Sequence, residues 1–336
     1  MTQKKLRVAI IGYGGMGHFH ASCYPEQKYA QLVAICDTDK SKFTQTSTSI
    51  NIGDSGQSDL KDVQFFSSYQ ELIKKAEFDV LDICLPCHLH ARYAVQAMKD
   101  GFHVLCEKPM ARSLYQADKM IAASQKYGKR LMIAQCLRFN PTFVKLKEMY
   151  ESQELGKLLR LDMRRNSAMP PNEWYHDPLK SGGALLDLHL HDTDLVNFIF
   201  GMPEAVQTFG IVRDTGGIDD LMTNYVFANG PVINAEASWC RASWFSTHIG
   251  IFEKATVEFT KPEIKIHRTG KGTEILPMSG PNHYFREIAY FSECILKDKP
   301  FDVCSVESTR DSIRIAMAEE RSARNGGKKI PLKKSK

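Results

Sequence analysis

The stretch LRVAIIGYGGMG, residues 6–17, decides how the first half of the chain folds. Leu6–Ile11 is a continuous apolar run stopped by a glycine, the pattern of a strand buried on both faces. Gly12-Tyr13-Gly14-Gly15-Met16-Gly17 then matches G-x-G-x-x-G. Alone that string is weak. Here it follows a strand directly, a helix can start within it, and Asp37 lies 20 residues beyond Gly17, at the end of the next apolar run. Gly12 permits a tight turn, Gly14 lets the backbone approach a pyrophosphate, and Gly17 lets helix and strand pack closely. Tyr13, Gly15 and Met16 complete the loop, and the helix start offers N–H groups and partial positive charge to phosphates. A carboxylate at Asp37 can accept hydrogen bonds from both ribose hydroxyls and would repel a 2′-phosphate. The implied cofactor is NAD rather than NADP.

Working outward, strand-like and helix-like segments alternate through the first ~135 residues. Residues 32–36 (LVAIC), 80–85 (VLDICL), 103–106 (HVLC) and 131–134 (LMIA) read as buried strands. Residues 69–75, 90–100 and 114–127 read as helices, the second stopped by Gly101. Residues 53–58 (GDSGQS) read as a polar loop. Repeated strand–helix–strand units imply a parallel sheet covered on both faces. The second half differs. Residues 158–164, 205–213, 222–227, 232–239 and 255–259 look like successive strands, with Asn229-Gly230 marking a hairpin. Helices are expected over 184–200, 284–296 and 306–323. This pattern suits an antiparallel or mixed sheet with helices on one face. The expectation is an α/β chain of two domains, 1–136 and 137–336.

Composition limits the functions available. At ~150 residues per domain, 336 residues again suggest two domains. The hydrophobic fraction of 43% and charged fraction of 25% are those of a soluble globular protein. A net charge of +5 is small for a nucleic-acid binder, and much of it sits in a tail carrying Lys328, Lys329, Lys333, Lys334 and Lys336. Nine cysteines, an odd count with irregular spacing, include Cys36, Cys84 and Cys106 inside apolar runs. They suit buried thiols in a reducing, cytoplasmic setting rather than a disulfide framework. The N-terminus imitates a signal peptide, but four glycines between residues 12 and 17 and the lack of a clear cleavage pattern mark it as structure. No apolar run approaches the ~18–20 residues of a membrane span.

Two stretches can carry chemistry. Cys106-Glu107-Lys108-Pro109 follows a strand, and a Lys at the carboxyl end of a parallel strand projects into the crevice where such sheets bind ligands. Taken alone, Lys108 fits a solvated loop equally well. The second stretch is GGALLDLHLHDTD, residues 182–194. If helical, Asp187 and His191 are i,i+4 neighbours, and Asp194 lies three further along the same face. Such a polar stripe costs free energy when buried without partners, so it is either exposed or functional. Other strings are decoys. Cys84-Leu85-Pro86-Cys87 has one cysteine inside a strand and no second C-x-x-C to complete a zinc site. His189 and His191 alternate along a helix and face apart, so no metal is expected there. His18 and His20 read as helix surface near the glycine loop.

Together the motifs resemble the glucose–fructose oxidoreductase, inositol dehydrogenase and MocA-like (Gfo/Idh/MocA) oxidoreductases over nearly the whole chain. The carriers are GYGGMG (12–17), LPCHLH (85–90), CEKPMA (106–111), LRFNP (137–141), GGALLDLHLHDTDL (182–195) and NHYFREIAYF (282–291). The resemblance implies an N-terminal Rossmann domain and a C-terminal α+β domain with a large, mostly antiparallel sheet. That sheet commonly forms the subunit interface, implying a homodimer or homotetramer. It further implies Lys108, Asp187 and His191 as catalytic residues. Leu85, Pro86, His90 and Glu107 join the glycine loop, Asp37 and Lys108 around the cofactor. Arg138, Trp174, His176, Asp194 and Tyr284 become substrate candidates. The H-D-x-D string from His191 to Asp194 is shared with the family's inositol dehydrogenases. Two positions depart from the pattern: Leu85 stands where many members have Thr, and His189 where they usually have Gly. The implied reaction is NAD-dependent oxidation of a secondary ring hydroxyl in a cyclic polyol or sugar, inositol being the leading candidate. A glycoside 3-dehydrogenase and a non-catalytic NAD-binding regulator are the alternatives. A free Lys has a pKa near ~10.4, which burial and a cationic nicotinamide would lower. Whether Lys108 or His191 is the base stays open, because the two would titrate as a coupled pair.

Overall fold

A computed structural model describes residues 4–50, 53–260 and 262–332. Lys333, Lys334 and Lys336 of the basic tail lie outside that range. The chain divides into two compact units, Met1–Cys136 with Pro281–Arg310, and Leu137–Gly280 with Asp311–Lys336. The sequence reading placed everything after residue 136 in the second domain. The structure places 281–310 with the first.

The first unit is built on β1 (Leu6–Ile11), β2 (Ala30–Cys36), β3 (Gln64–Phe66), β4 (Val80–Ile83), β5 (His103–Glu107) and β6 (Leu131–Ala134). They form one sheet in the order β3-β2-β1-β4-β5-β6, every pair parallel. β4 and β6 are buried at every position, which explains their unbroken apolar runs apart from Asp82. Helices α1 (Gly15–Cys23), α2 (Tyr69–Lys75), α3 (His90–Lys99) and α4 (Leu114–Tyr127) connect the strands. Their ends are set locally. The Ser68 and Ser113 side chains accept from the N–H groups of Glu71 and Gln116, and Gly128 ends α4 in the left-handed region at φ +62°.

The second unit begins with α5 (Pro141–Ser152), capped by the Asn140 side chain, which accepts from the Thr142 N–H. Its sheet contains β7 (Leu158–Ala168), β8 (Ala205–Ile211), β9 (Asp220–Val226), β10 (Val232–Ser238), β11 (Cys240–Phe252), β12 (Thr256–Thr260), β13 (Glu263–Arg268) and β14 (Gly272–Pro277). A π-helical turn, Leu185–His189, leads into α6 (Leu190–Phe200). The nine strands run β14-β13-β12-β11-β7-β10-β9-β8-β15, with β15 the short edge Ile330–Pro331. All neighbours are antiparallel except β7 and β10. Alternation is clear: Leu161, Met163, Leu221, Ile233, Val257 and Ile264 point into the core, while Arg160, Arg164, Met222, Val232 and Ile251 are exposed. Four strands of this sheet, β11, β13, β14 and β15, add to those expected from the sequence, as does β3 in the first unit.

Helix α7 (His283–Leu296) explains why the chain returns to the first unit. It buries Tyr284, Ile288 and Phe291 there. Phe19 of α1 lies 5.7 Å from the Tyr284 ring, and the Gln27 side chain donates to the Phe285 carbonyl at 3.0 Å. The Cys304 thiol donates to the Ile133 carbonyl of β6. The final helix, α8 (Val306–Arg324), contains the Arg310/Asp311 division. Among the described residues no helix is long and apolar enough to cross a membrane.

Candidate functional site

The turn after β1 combines two tight contacts with one open position. Gly12 sits at φ +92°, and a Cβ there would lie 2.6 Å from the Cys84 carbonyl oxygen. A Cβ on Gly17 would collide with the Gly12 carbonyl oxygen. By contrast, a Cβ on Gly14 would meet nothing within 4 Å. Gly12 and Gly17 therefore serve packing within the protein, whereas Gly14 borders open space. Gly12, Tyr13 and Gly17 are buried, and Gly14, Gly15 and Met16 are half-buried. Gly14 caps α1 without a side chain, so the first N–H groups of the helix face outward from a glycine turn.

Asp37, at the end of β2, holds this turn. Its Oδ2 accepts the Tyr13 N–H at 2.7 Å and its Oδ1 accepts the Asp39 N–H at 2.8 Å. Lys42 Nζ lies 3.1 and 3.0 Å from the two oxygens. The Tyr13 ring packs beside His18, 3.9 Å between centroids, and its hydroxyl donates to the Gln45 carbonyl. Burial pushes the Tyr13 phenol up from its ordinary value.

Glu107 and Lys108 follow β5. The Lys108 N–H donates to Glu107 Oε2 at 3.0 Å, and the Lys108 side chain is half-buried. Glu107 Oε1 is 3.1 Å from His20 Nε2, and His20 Nδ1 is 2.9 Å from Asp82 Oδ2. The Tyr24 hydroxyl donates to the same Asp82 oxygen at 2.7 Å. Burial opposes charge on His20, but Asp82 outweighs it and holds the imidazole pKa well above its usual value. The sequence reading put His18 and His20 on the helix surface. Both are buried, and His20 instead braces the turn that carries Lys108. Glu287 of α7 is fully buried nearby, and burial together with Glu107 pushes its carboxyl up. Leu85 and Pro86 are half-buried, and the buried His90 ring lies between the carbonyls of Leu85 (2.7 Å) and Pro109 (2.8 Å). His90 thus connects the two turns at the carboxyl ends of β4 and β5. Burial pushes the Cys84 thiol far up, which suits a neutral thiol in a strand rather than a thiolate ligand.

In the second unit the 182–194 stretch resolves sharply. From residue 183 to 197 every residue is buried except Asp187 and His191, which are half-buried. Asp187 lies within the π turn and His191 in the first turn of α6. Asp194 leaves the expected stripe. It takes a bidentate ion pair from Arg138, at 2.8 and 2.7 Å, plus the Ser312 hydroxyl at 2.7 Å. Both side chains of this pair are 1% exposed, so Arg138 and Asp194, read from the sequence as substrate contacts, face each other inside the fold. Asp192 pairs in the same way with Arg165 and accepts from His248 Nε2 at 3.0 Å. Burial opposes ionisation of Asp192, but Arg165 and His248 hold its carboxyl well below the usual carboxylate range. His189 is fully buried, 3.2 Å from Thr223 Oγ1 and 3.3 Å from the Tyr225 hydroxyl. Among the other substrate candidates, Trp174 is half-buried and stacked on Tyr175 at 3.8 Å, and His176 is exposed. Tyr284 is buried in the first unit, its ring 6.2 Å from that of His20.

A parallel sheet with a glycine turn after its first strand and an acidic residue after its second defines a dinucleotide-binding Rossmann unit, the class seen in pyridine-nucleotide oxidoreductases. The chain belongs to the Gfo/Idh/MocA oxidoreductases. Residues 6–135 match the oxidoreductase family with an NAD-binding Rossmann fold, and residues 143–258 match the GFO/IDH/MocA C-terminal domain. The chain is similar to the uncharacterized oxidoreductase YrbE of Bacillus subtilis, at 28% identity over 68% of this chain and 65% of that protein. It is also similar to the NAD(+)-dependent scyllo-inositol 2-dehydrogenase of Bacillus subtilis, at 24% identity over 96% of each chain. Among solved structures, a Thermotoga maritima oxidoreductase shares the fold with a TM-score of 0.82 at 24% identity, over 98% of both chains.

The buried Arg138–Asp194 pair makes a direct prediction. Arg138→Met leaves a buried carboxylate without its cation and is expected to cost about 3–5 kcal/mol in urea unfolding. A loss below about 1 kcal/mol would show that the pair does not secure the second unit.

Proposed function

We propose that the protein is an NAD-dependent dehydrogenase that oxidises a secondary ring hydroxyl of a cyclic polyol or sugar, with an inositol as the leading substrate. The observation that carries this reading is the partial exposure of Asp187 and His191. Neighbouring carboxylates are sealed into ion pairs, while these two remain accessible in an otherwise buried run. A core built only for stability has no need of such an exception. The scyllo-inositol 2-dehydrogenase relative, matched over almost its full length, supports the substrate class.

Bound NAD would supply nicotinamide C4 as hydride acceptor. The glycine turn would hold its pyrophosphate through N–H groups at the start of α1, and Asp37 would receive the ribose hydroxyls. As hydride leaves the substrate carbon, the hydroxyl proton must pass to a group within hydrogen-bond reach. We assign the proton acceptor's role to Lys108 or to His191, with Asp187 orienting the imidazole. In reduction the same ammonium polarises the carbonyl and returns the proton. Glu107, braced by His20, fixes the backbone from which Lys108 extends.

We also assign self-association to the open face of the nine-stranded sheet. Phe209 and Met222, opposite each other in register, together with Val232 and Ile251, expose large apolar groups there. Seven of the nine cysteines are buried and all are free, which supports a reducing, cytoplasmic setting.

Two measurements test these assignments. A panel of inositols and hexoses read at 340 nm with NAD should give NADH formation with at least one ring polyol. Lys108→Ala and His191→Ala should each lower kcat by about 100-fold or more, with NADH affinity changing little in His191→Ala. No turnover on any member, or full activity in Lys108→Ala, contradicts the assignment. In sedimentation velocity the native chain should exceed the 38.0 kDa monomer mass, and Met222→Asp should shift it toward monomer. A native chain sedimenting as monomer at ~10 μM contradicts the interface.

A further inference from the structure

This inference rests on the function proposed above, in which Asp37 receives the adenosine ribose; in the structure that carboxylate is already engaged by a cation. A carboxylate has two oxygens and about four acceptor positions. At Asp37 two are taken by backbone N–H groups, from Tyr13 on Oδ2 and Asp39 on Oδ1. Lys42 Nζ takes the bidentate seat between the oxygens, 3.1 Å from one and 3.0 Å from the other. A ribose diol brings two O–H donors to that same seat.

The three partners are not equally replaceable. The Tyr13 and Asp39 contacts are main-chain groups fixed by the glycine turn and by the turn after β2. Lys42 reaches in from the short helical turn Lys40–Thr44, whose start is held by the Asp39 side chain accepting from the Ser41 N–H. Its side chain is 30% exposed while that of Asp37 is 8% exposed. The lysine stem is flexible and its ammonium is a compact point charge, so it can leave the carboxylate and remain nearby. An ammonium released there stands beside the 2′ position of the ribose. Asp37 alone would exclude a 2′-phosphate by like-charge repulsion, and Lys42 offsets that repulsion with the opposite charge.

We propose that Lys42 is a specificity-determining residue. It competes with the ribose diol for Asp37 and, once displaced, receives a 2′-phosphate, so the Asp37–Lys42 pair rather than Asp37 alone sets the choice between NAD and NADP. An ammonium in the bidentate seat works against NAD and for NADP at the same time.

Titrations of NADH and NADPH, followed by the fluorescence of the bound nicotinamide, test this without any substrate. The proteins are wild type, Lys42→Ala, Lys42→Arg, Asp37→Ser and the double variant Asp37→Ser/Lys42→Ala, each with a thermal melt as folding control. Asp37→Ser should gain NADPH affinity, because the ammonium then faces the phosphate unopposed. Adding Lys42→Ala should remove about fivefold or more of that affinity. Lys42→Ala alone should bind NADH at least as tightly as wild type, and Lys42→Arg, whose planar fork pairs more firmly with carboxylate and phosphate, should raise the NADPH/NADH ratio. The proposal is overturned if Asp37→Ser gains no NADPH binding. It is equally overturned if that gain survives Lys42→Ala to within about fivefold, or if Lys42→Ala weakens NADH.

Discussion

The hydrogen bond from the Tyr13 N–H to the Asp37 carboxylate, 2.7 Å long, joins the turn after the first strand to the end of the second. The glycine turn keeps its shape because this bond restrains it from one side and the Cys84 carbonyl, against Gly12, from the other. With the turn fixed, α1 starts at Gly15 with its first N–H groups facing out, and Gly17 brings the helix onto β1. The same carboxylate that shapes the turn is the one that can receive a ribose. On the proposed reading, fold and cofactor recognition rest on one side chain.

A second constraint is that buried charge must be paired. Asp192 and Asp194 each meet an arginine, and His20 lies between Asp82 and Glu107. Glu287, fully buried, takes the other route: burial pushes its carboxyl up toward the neutral form. Asp187 in the π turn and His191 just after it are the two half-buried positions of residues 183–197.

Much of this was legible in the sequence where periodicity is strong. β1, β6, α2 and α4 begin and end where the apolar runs and caps place them. The glycine turn and its acidic partner could be found because strand, turn and spacing all agree. β11 was not found, since it mixes Arg241, Trp244 and Phe245 on exposed positions and lacks a clean alternation. The Asn140-Pro141 pair was an available signal for α5. Nothing in α7 announces its return to the first unit, because an amphipathic helix records which face it buries but not against what. Arg138 and Asp194, 56 residues apart, and His20 and Glu107, 87 apart, are long-range pairs that no local pattern encodes. The π turn likewise leaves no mark in residue type, so the sequence grouped Asp194 with Asp187 and His191 where the fold separates them.

The central claim is that the open side of the glycine turn is there for a dinucleotide and not for packing. Gly14→Val tests it most directly, since a side chain at that position meets no protein atom within 4 Å at its Cβ. Titration of NADH into the wild-type chain should show saturable binding of one molecule per subunit. The variant should keep the wild-type melting temperature to within about 2 °C and lose NADH binding by about 100-fold or more. A stable Gly14→Val protein that binds NADH as tightly as wild type would contradict the account.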